Sequence, residues 1–219
     1  MSLKQHTVKS YDKDLESIAE TLEKMAELSL ISIDMVAEMI KDNNQDFLEK
    51  VNAHDYKINT LDLLIERGVT SMLALRQPMA VDLRYIVSAL KVASNLERVG
   101  DQAKSIIKKI NKVGSESFDN RVKTSLFEML ELSKKMVRES VTAFNDQNAE
   151  LADKVILEDD VIDTIYSEMS GIVDAESFDK QEVKNIINIL FIAKSFERLA
   201  DHSTNIAEIT NYVITGETK

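Results

Sequence analysis

The 219-residue chain contains no cysteine, no tryptophan, one proline and five glycines. The absence of cysteine excludes disulfides, thiolate metal ligands and a cysteine nucleophile. Because turns depend on glycine and proline, their scarcity disfavours a β-sandwich or a β-barrel. No run approaches the roughly 18 uncharged residues that a membrane-spanning helix needs. The N-terminus has no signal-peptide pattern, so we expect a cytoplasmic protein.

Acidic residues outnumber basic ones by 38 to 27, which gives a formal net charge of −11. An acidic chain repels the phosphate backbone, so direct nucleic-acid binding is disfavoured. The hydrophobic fraction of 44% is high enough to bury a substantial core. The composition therefore favours a folded domain that acts on something other than DNA or RNA.

Apolar residues recur three or four positions apart along most of the chain, as in Leu15, Ile18 and Leu22. This spacing predicts amphipathic helices. Helix boundaries are indicated by a capping-box pattern at Asp46, by Gln77-Pro78, which breaks the second helix before the third begins near Met79, and by Gly114 as a C-cap. A second capping box pairs Asp179 with Glu182. The predicted helices cover about 11–41, 46–76, 79–113, 120–144, a segment that ends near 171, and 179–213.

The two halves of the chain form an internal repeat. In the second helix of each half, matching residues such as Val51 and Val155 lie 104 positions apart. In the third helix the offset is 100, as between Leu96 and Phe196. Three amphipathic helices bury their apolar faces better than two do. We therefore predict an all-α fold of two tandem three-helix bundles, over residues 1–114 and 115–219.

The repeated chemistry is a pair of carboxylates four residues apart, Glu97 with Asp101 and Glu197 with Asp201. At this spacing two side chains project from the same face of a helix, and two like charges cost the helix roughly 0.2–0.5 kcal/mol. A bound cation would offset that repulsion. The residues in line with these pairs are small, and we expect them to leave room for a ligand: Ala93, Gly100, Ala193 and Ala200.

The preceding helix carries a second acidic pair, Asp159 with Asp163, whose counterparts in the first half are Asp55 and Asn59. An antiparallel neighbour would bring Asp159 and Asp163 close to the Glu197 pair. Four carboxylates around one point suit a hard cation, because such ions prefer oxygen ligands. The other interpretation is that these acids are ordinary solvated side chains, and spacing alone leaves both open.

The sequence resembles the PhoU family of phosphate-uptake regulators over essentially its whole length. The resemblance is carried by Leu83-Arg84-Tyr85-Ile86 after Gln77-Pro78, by Leu96-Glu97-Arg98-Val99-Gly100-Asp101, and by the second copy from Phe196 to Glu208. It implies a pair of three-helix bundles that bind metal ions, iron or zinc before magnesium or manganese, in some members as multinuclear clusters. The metal roles that it implies fall on Glu97, Asp101, Glu197, Asp201, Asp159, Asp163 and Asp55.

Two departures from the family pattern fall in the first half. Ser105 stands where an asparagine usually follows the motif, and Asn59 stands where aspartate is usual. The resemblance therefore supports the second metal site more strongly than the first.

The resemblance also implies a function and partners. Family members are regulators rather than enzymes, and they connect a phosphate ABC transporter ATPase with a phosphate-sensing histidine kinase. They restrain phosphate uptake and the starvation response. We expect a homodimer as well. The alternatives are a metal-free helical scaffold, an accessory protein of a low-affinity phosphate transporter, and a carboxylate-metal enzyme such as a hydrolase or oxidase.

Overall fold

A computed structural model describes residues 9–42, 46–171 and 180–217. These residues form six α-helices and one 3₁₀ turn, and no β-strand occurs among them. The prediction of an all-α fold is confirmed. The helices are α1 (Lys9–Asp42), α2 (Asp46–Arg76), α3 (Ala80–Val113), α4 (Asn120–Asp146), α5 (Ala149–Ser170) and α6 (Lys180–Thr215), and the 3₁₀ turn covers Ser115–Ser117.

The predicted helix ends agree with these bounds to within about two residues wherever the structure describes them. The predicted break at Gln77-Pro78 is confirmed, since α2 ends at Arg76 and Met79 is the N-cap residue of α3. The chain reaches Pro78 through Gln77, which has a φ of 48°. Asp179 of the predicted second capping box lies outside the described residues.

Side-chain and backbone caps explain where the central helices begin and end. The Asp119 carboxylate accepts a hydrogen bond from the Val122 amide at the start of α4. Asn148 caps α5 in the same way through the Leu151 amide. Gly114 ends α3 with a φ of 83°, and its amide donates to the Ile110 carbonyl. Glycine suits this position because a side chain is strained at positive φ.

Each half forms a three-helix bundle, α1–α3 and α4–α6, and the two bundles pack against each other mainly through α3 and α6. These two helices are antiparallel. Arg84 Nε donates to the Val213 carbonyl, and Lys109 Nζ donates to Ser195 Oγ at the other end of the pair. The buried apolar side chains of both bundles form one contiguous core. In the part of the chain that the structure describes, no helix has an apolar stretch long enough to cross a bilayer.

Candidate metal centres on two helix pairs

The acidic pairs lie on neighbouring antiparallel helices, one helix pair in each bundle. On α2 and α3 we define the first acidic cluster as Asp55, Asp62, Glu97 and Asp101. On α5 and α6 we define the second acidic cluster as Asp159, Asp163, Glu197 and Asp201. The predicted ligands of each half are thus on one helix pair, as the repeat suggests.

In the second acidic cluster the carboxylates of α5 and α6 are within electrostatic reach of one another. Burial raises the pKa of Asp159 to about 6, and the charges of Asp201 and Asp163 contribute to this rise. Burial and then Glu197 raise the pKa of Asp201, while the charge of Lys194 lowers it. The two helices therefore concentrate negative charge between them.

One carboxylate oxygen of the second acidic cluster is buried without a well-aligned hydrogen-bond donor in the described part of the chain. Asp159 Oδ1 is shielded from solvent and has no well-aligned hydrogen-bond partner within the described ranges. The nearby Thr204 hydroxyl still lowers the pKa of Asp159. A buried carboxylate oxygen without a donor is costly, and a cation is one group that would satisfy it.

The first acidic cluster contains a residue that the sequence analysis missed. Burial and then Asp101 raise the pKa of Glu97, and smaller contributions come from Asp62 and Asp55. Asp62 therefore supplies a fourth carboxylate where Asn59 offers only an amide. Its position three residues after Asn59 on the same face of α2 was the available signal. Burial and then Asp55 raise the pKa of Asp101.

Basic side chains lie inside both clusters. In the first, Lys104 Nζ is 2.6 Å from Asp55 Oδ2 in a mostly buried ion pair. Arg98 reaches Glu97 Oε2 at 3.4 Å and Asp101 Oδ2 at 3.7 Å, and it is largely exposed.

In the second acidic cluster, Lys194 forms an ion pair with Glu197. The Lys194 ammonium also lies 5.2 Å from the centre of the Tyr166 ring. Each cluster is thus partly neutralised by a lysine of its own third helix. In the present arrangement, no three Asp, Glu or His side chains of the described residues are grouped so that they could hold a metal ion.

The small residues beside the acidic pairs do not leave space for a ligand, so that expectation was wrong. Ala93, Ala193 and Ala200 are fully buried. A Cβ atom on Gly100 would lie 2.8 Å from Ile58 Cδ1. These positions are small because a neighbouring helix packs closely against them. Any ligand must approach the acidic clusters from the solvent side.

His202 lies next to Asp201 in sequence but points towards the other bundle. Its Nδ1 is 3.0 Å from Asn95 Oδ1 on α3. Burial and then the charges of Arg98 and Arg198 lower its pKa. His202 therefore helps to join α3 and α6, and the acidic clusters are built from carboxylates.

A family model described as the PhoU domain matches residues 22–110 and 126–210. The chain belongs to the PhoU family. The two matches coincide with the two bundles, so a PhoU domain accounts for each half.

Relatives of similar length carry related names. A phosphate-specific transport system accessory protein PhoU homolog of Caulobacter vibrioides is 32% identical over 97% of this chain and 93% of its own. The homolog of Aquifex aeolicus is 35% identical over 94% and 93%. PhoU from Pseudomonas aeruginosa is a structural neighbour with a TM-score of 0.85, at 28% identity over 94% of this chain and all of its own. The phosphate transport system regulatory protein PhoU from Streptococcus pneumoniae has a TM-score of 0.81, at 26% identity over 95% and 99%.

The donor set of both acidic clusters suits a hard cation, because it consists of carboxylate oxygens. Asp159 Oδ1, which is shielded from solvent and has no well-aligned donor among the described residues, fits such an ion as well. The chemistry of the residues thus fits the metal that the PhoU resemblance implies, although the lysines now occupy part of each cluster.

Proposed function

We propose that this chain is a regulatory accessory protein of a phosphate transport system, and that it restrains phosphate uptake and the phosphate-starvation response. Its partners are a phosphate ABC transporter ATPase and a phosphate-sensing histidine kinase. The PhoU membership and the names of relatives that match along nearly the whole chain support this role. We propose that it acts by binding rather than by catalysis.

We propose further that the acidic clusters bind metal ions, iron or zinc before magnesium or manganese, as single ions or multinuclear clusters. The observation that carries this proposal is the recurrence of four carboxylates on the equivalent helix pair of each bundle. In the second acidic cluster Asp159, Asp163, Glu197 and Asp201 would hold the ion. In the first, Asp55, Glu97 and Asp101 would do so, with Asp62 beside them. A bound cation would supply positive charge that links the second and third helices of a bundle.

Through this link between two helices, metal binding would control how the protein binds its partners. Each cluster spans two helices, so an ion held by both would set their relative position. The outer surface of that helix pair is then the surface that a partner recognises. Removing the ion with a chelator should therefore weaken binding of the ATPase or kinase, and an unchanged partner affinity would contradict this control.

Elemental analysis of protein purified without added metal tests the metal proposal directly. We expect bound iron or zinc in the wild-type chain and a loss of roughly half of it in Asp201→Asn. The matched control is Glu208→Gln, an exposed acid seven residues further along α6. A metal content that is negligible in all three proteins would favour the metal-free scaffold.

Expression in a bacterium whose own PhoU gene has been deleted tests the regulatory role. We expect the wild-type chain to lower phosphate uptake and the expression of a phosphate-starvation reporter. A double variant, Asp101→Asn with Asp201→Asn, should restore less of this control than the wild type. A chain that is expressed and folded but changes neither quantity would contradict the proposed role.

We propose that the chain forms a homodimer. Val183, Ile187 and Phe191 recur four residues apart on α6 and are 40%, 44% and 57% exposed. An exposed apolar stripe of this kind is typical of a protein–protein contact. Light scattering coupled to size-exclusion chromatography should give twice the 24.7 kDa chain mass. Phe191→Ser should shift the equilibrium to the monomer, whereas a monomeric wild type would contradict the proposal.

A further inference from the structure

Each acidic cluster contains a lysine whose position does not follow from the internal repeat. Lys104 pairs with Asp55, and Lys194 pairs with Glu197. At the offset of 100 residues, however, Lys104 corresponds to Thr204 and Lys194 corresponds to Ser94. One lysine follows its acidic pair along the third helix and the other precedes it. What the two clusters share is an ammonium ion among carboxylates.

The ammonium ions pair with carboxylates that are largely enclosed. The side chains of Asp55 and Glu197 are only 13% and 14% exposed, whereas Lys104 and Lys194 are 22% and 38% exposed. Ion pairs at this depth are weakly screened by water and salt. A single positive charge nevertheless offsets only part of the repulsion among four carboxylates. The remaining negative charge still favours a cation of higher charge.

We propose that Lys104 and Lys194 are built-in counter-ions, and that a divalent cation binds each acidic cluster by displacing the lysine from it. This inference rests on the proposed metal binding and adds the residues that set its affinity. Lysine suits the role because its ammonium ion is compact and its four-carbon stem is flexible.

The two clusters should differ in how readily the lysine leaves. Lys194 already lies 5.2 Å from the Tyr166 ring centre, and a cation over an aromatic face is attracted to it. Asp62 occupies the position equivalent to Tyr166 in the first half. The first half therefore lacks an aromatic ring at the position where Lys194 has one as an alternative contact. We infer that the second acidic cluster binds a cation more tightly than the first.

Titration with Mn²⁺ tests the exchange, since free Mn²⁺ can be counted by electron paramagnetic resonance and its binding heat can be measured by calorimetry. Chelator-treated wild-type protein is compared with Lys104→Met and Lys194→Met, which keep the apolar stem and remove the charge. Lys108→Met and Lys184→Met are matched controls, because both lysines are exposed and lie on the same third helices. We expect each test variant to bind Mn²⁺ at one cluster at least fivefold more tightly than its control. Circular dichroism checks that every variant is folded, and the Lys→Gln changes replace any that is not.

The outcomes separate this inference from the metal proposal. If the wild type binds Mn²⁺ and the test variants match their controls, the exchange is overturned while metal binding stands. If only the test variants bind, the exchange is supported and the wild-type chain is not a Mn²⁺-binding protein at these concentrations. If neither the wild type nor any variant binds more than the double variant Asp101→Asn with Asp201→Asn, both proposals are wrong.

Discussion

Tyr85 of α3 stacks on Phe144 of α4, with 4.8 Å between the ring centroids and 16° between the ring planes. Both side chains are buried, and the contact joins the first bundle to the second. The Tyr85 hydroxyl is also buried, and it has no hydrogen-bond partner among the residues that the structure describes. Burial, with a smaller effect of Glu23, raises the pKa of Tyr85 far above its ordinary value. The stack stabilises the junction, whereas the hydroxyl opposes it.

We therefore expect opposite effects from two substitutions of Tyr85. Tyr85→Ala should lower the free energy of unfolding by about 3–5 kcal/mol, because a large buried ring is lost. Tyr85→Phe keeps the ring and removes the unsatisfied hydroxyl, so it should be neutral or stabilising by up to about 1 kcal/mol. Urea unfolding measures both. Tyr56→Ala is the control, since Tyr56 is 74% exposed and its removal should cost little.

Gly114 should be less tolerant of a side chain than Gly171, the glycine that ends α5. Its φ of 83° is strained for other residues, and a Cβ atom there would collide with the Glu116 carboxylate. Gly114→Ala should destabilise the protein by about 1–2 kcal/mol. Gly171 has a φ of −65°, and a Cβ atom added to it would meet no atom of the described ranges within 4 Å. Gly171→Ala should be neutral or slightly stabilising in the same thermal unfolding experiment, and equal losses at both sites would contradict the explanation.

Asp159 should make the stability of the metal-free protein depend on pH. Because its folded-state pKa of about 6 exceeds the ordinary value of 3.8, this group favours folding below about pH 4. That contribution is lost as the pH rises through 6. Asp159→Asn should therefore raise the free energy of unfolding at pH 7.5 by about 1 kcal/mol, less than the full shift implies because the side chain is partly exposed.

At pH 4 the Asp159→Asn variant should match the wild type closely. The control is Asp160→Asn, which changes an exposed neighbour on α5 and should have a much smaller effect at pH 7.5. Chelator-treated protein is required, since a bound cation would reverse the sign by stabilising the charged carboxylate. A gain in stability at pH 4 that equals the gain at pH 7.5 would rule out titration of Asp159 as the cause.

Lys109 should contribute to the contact between the bundles. It is half-buried, and its ammonium donates to Ser195 Oγ at 2.5 Å and to the Phe191 carbonyl at 3.2 Å. Lys109→Ala should cost about 1 kcal/mol of unfolding free energy, since hydrogen bonds from a charged donor are the stronger ones. Lys108→Ala removes an exposed lysine beside it and should change stability by less than about 0.5 kcal/mol. Equal losses of unfolding free energy in the two variants would indicate that removal of a positive charge, and not the contact of Lys109 with α6, is the cause.

Local patterns predicted the helices well because helix formation depends on nearby residues. The apolar period, the proline before α3 and the glycine after it are all local signals, and the boundaries that they predict agree with the structure. The internal repeat was also predicted from the sequence, because it is recognised from residues that match at two constant offsets, 104 and 100 positions. The acidic pairs on one helix face followed from helical geometry alone.

Contacts between helices were harder to predict, because they depend on which faces meet. Small residues at Ala93 and Gly100 would suit either a space for a ligand or a close contact between helices. Only the packing of Ile58 against Gly100 shows that the close contact is the reason. Asp62 belongs to the first acidic cluster because it lies close enough to Glu97 to raise its pKa, which depends on how α2 packs against α3. Lys104 was hidden for the same reason, since it meets its partner Asp55 on a different helix. Lys194 lies only three residues before its partner Glu197 on α6.

The amino-acid sequence by itself determined six amphipathic helices, a duplicated plan and carboxylates spaced one helical turn apart. These properties depend on backbone geometry and on residues at most a few positions away. The tertiary structure alone decided that α3 packs on α6, that small residues face a neighbouring helix, and that Lys104 lies within the first acidic cluster. Such features require side chains distant in sequence to meet, and their positions are set by the burial of the shared core.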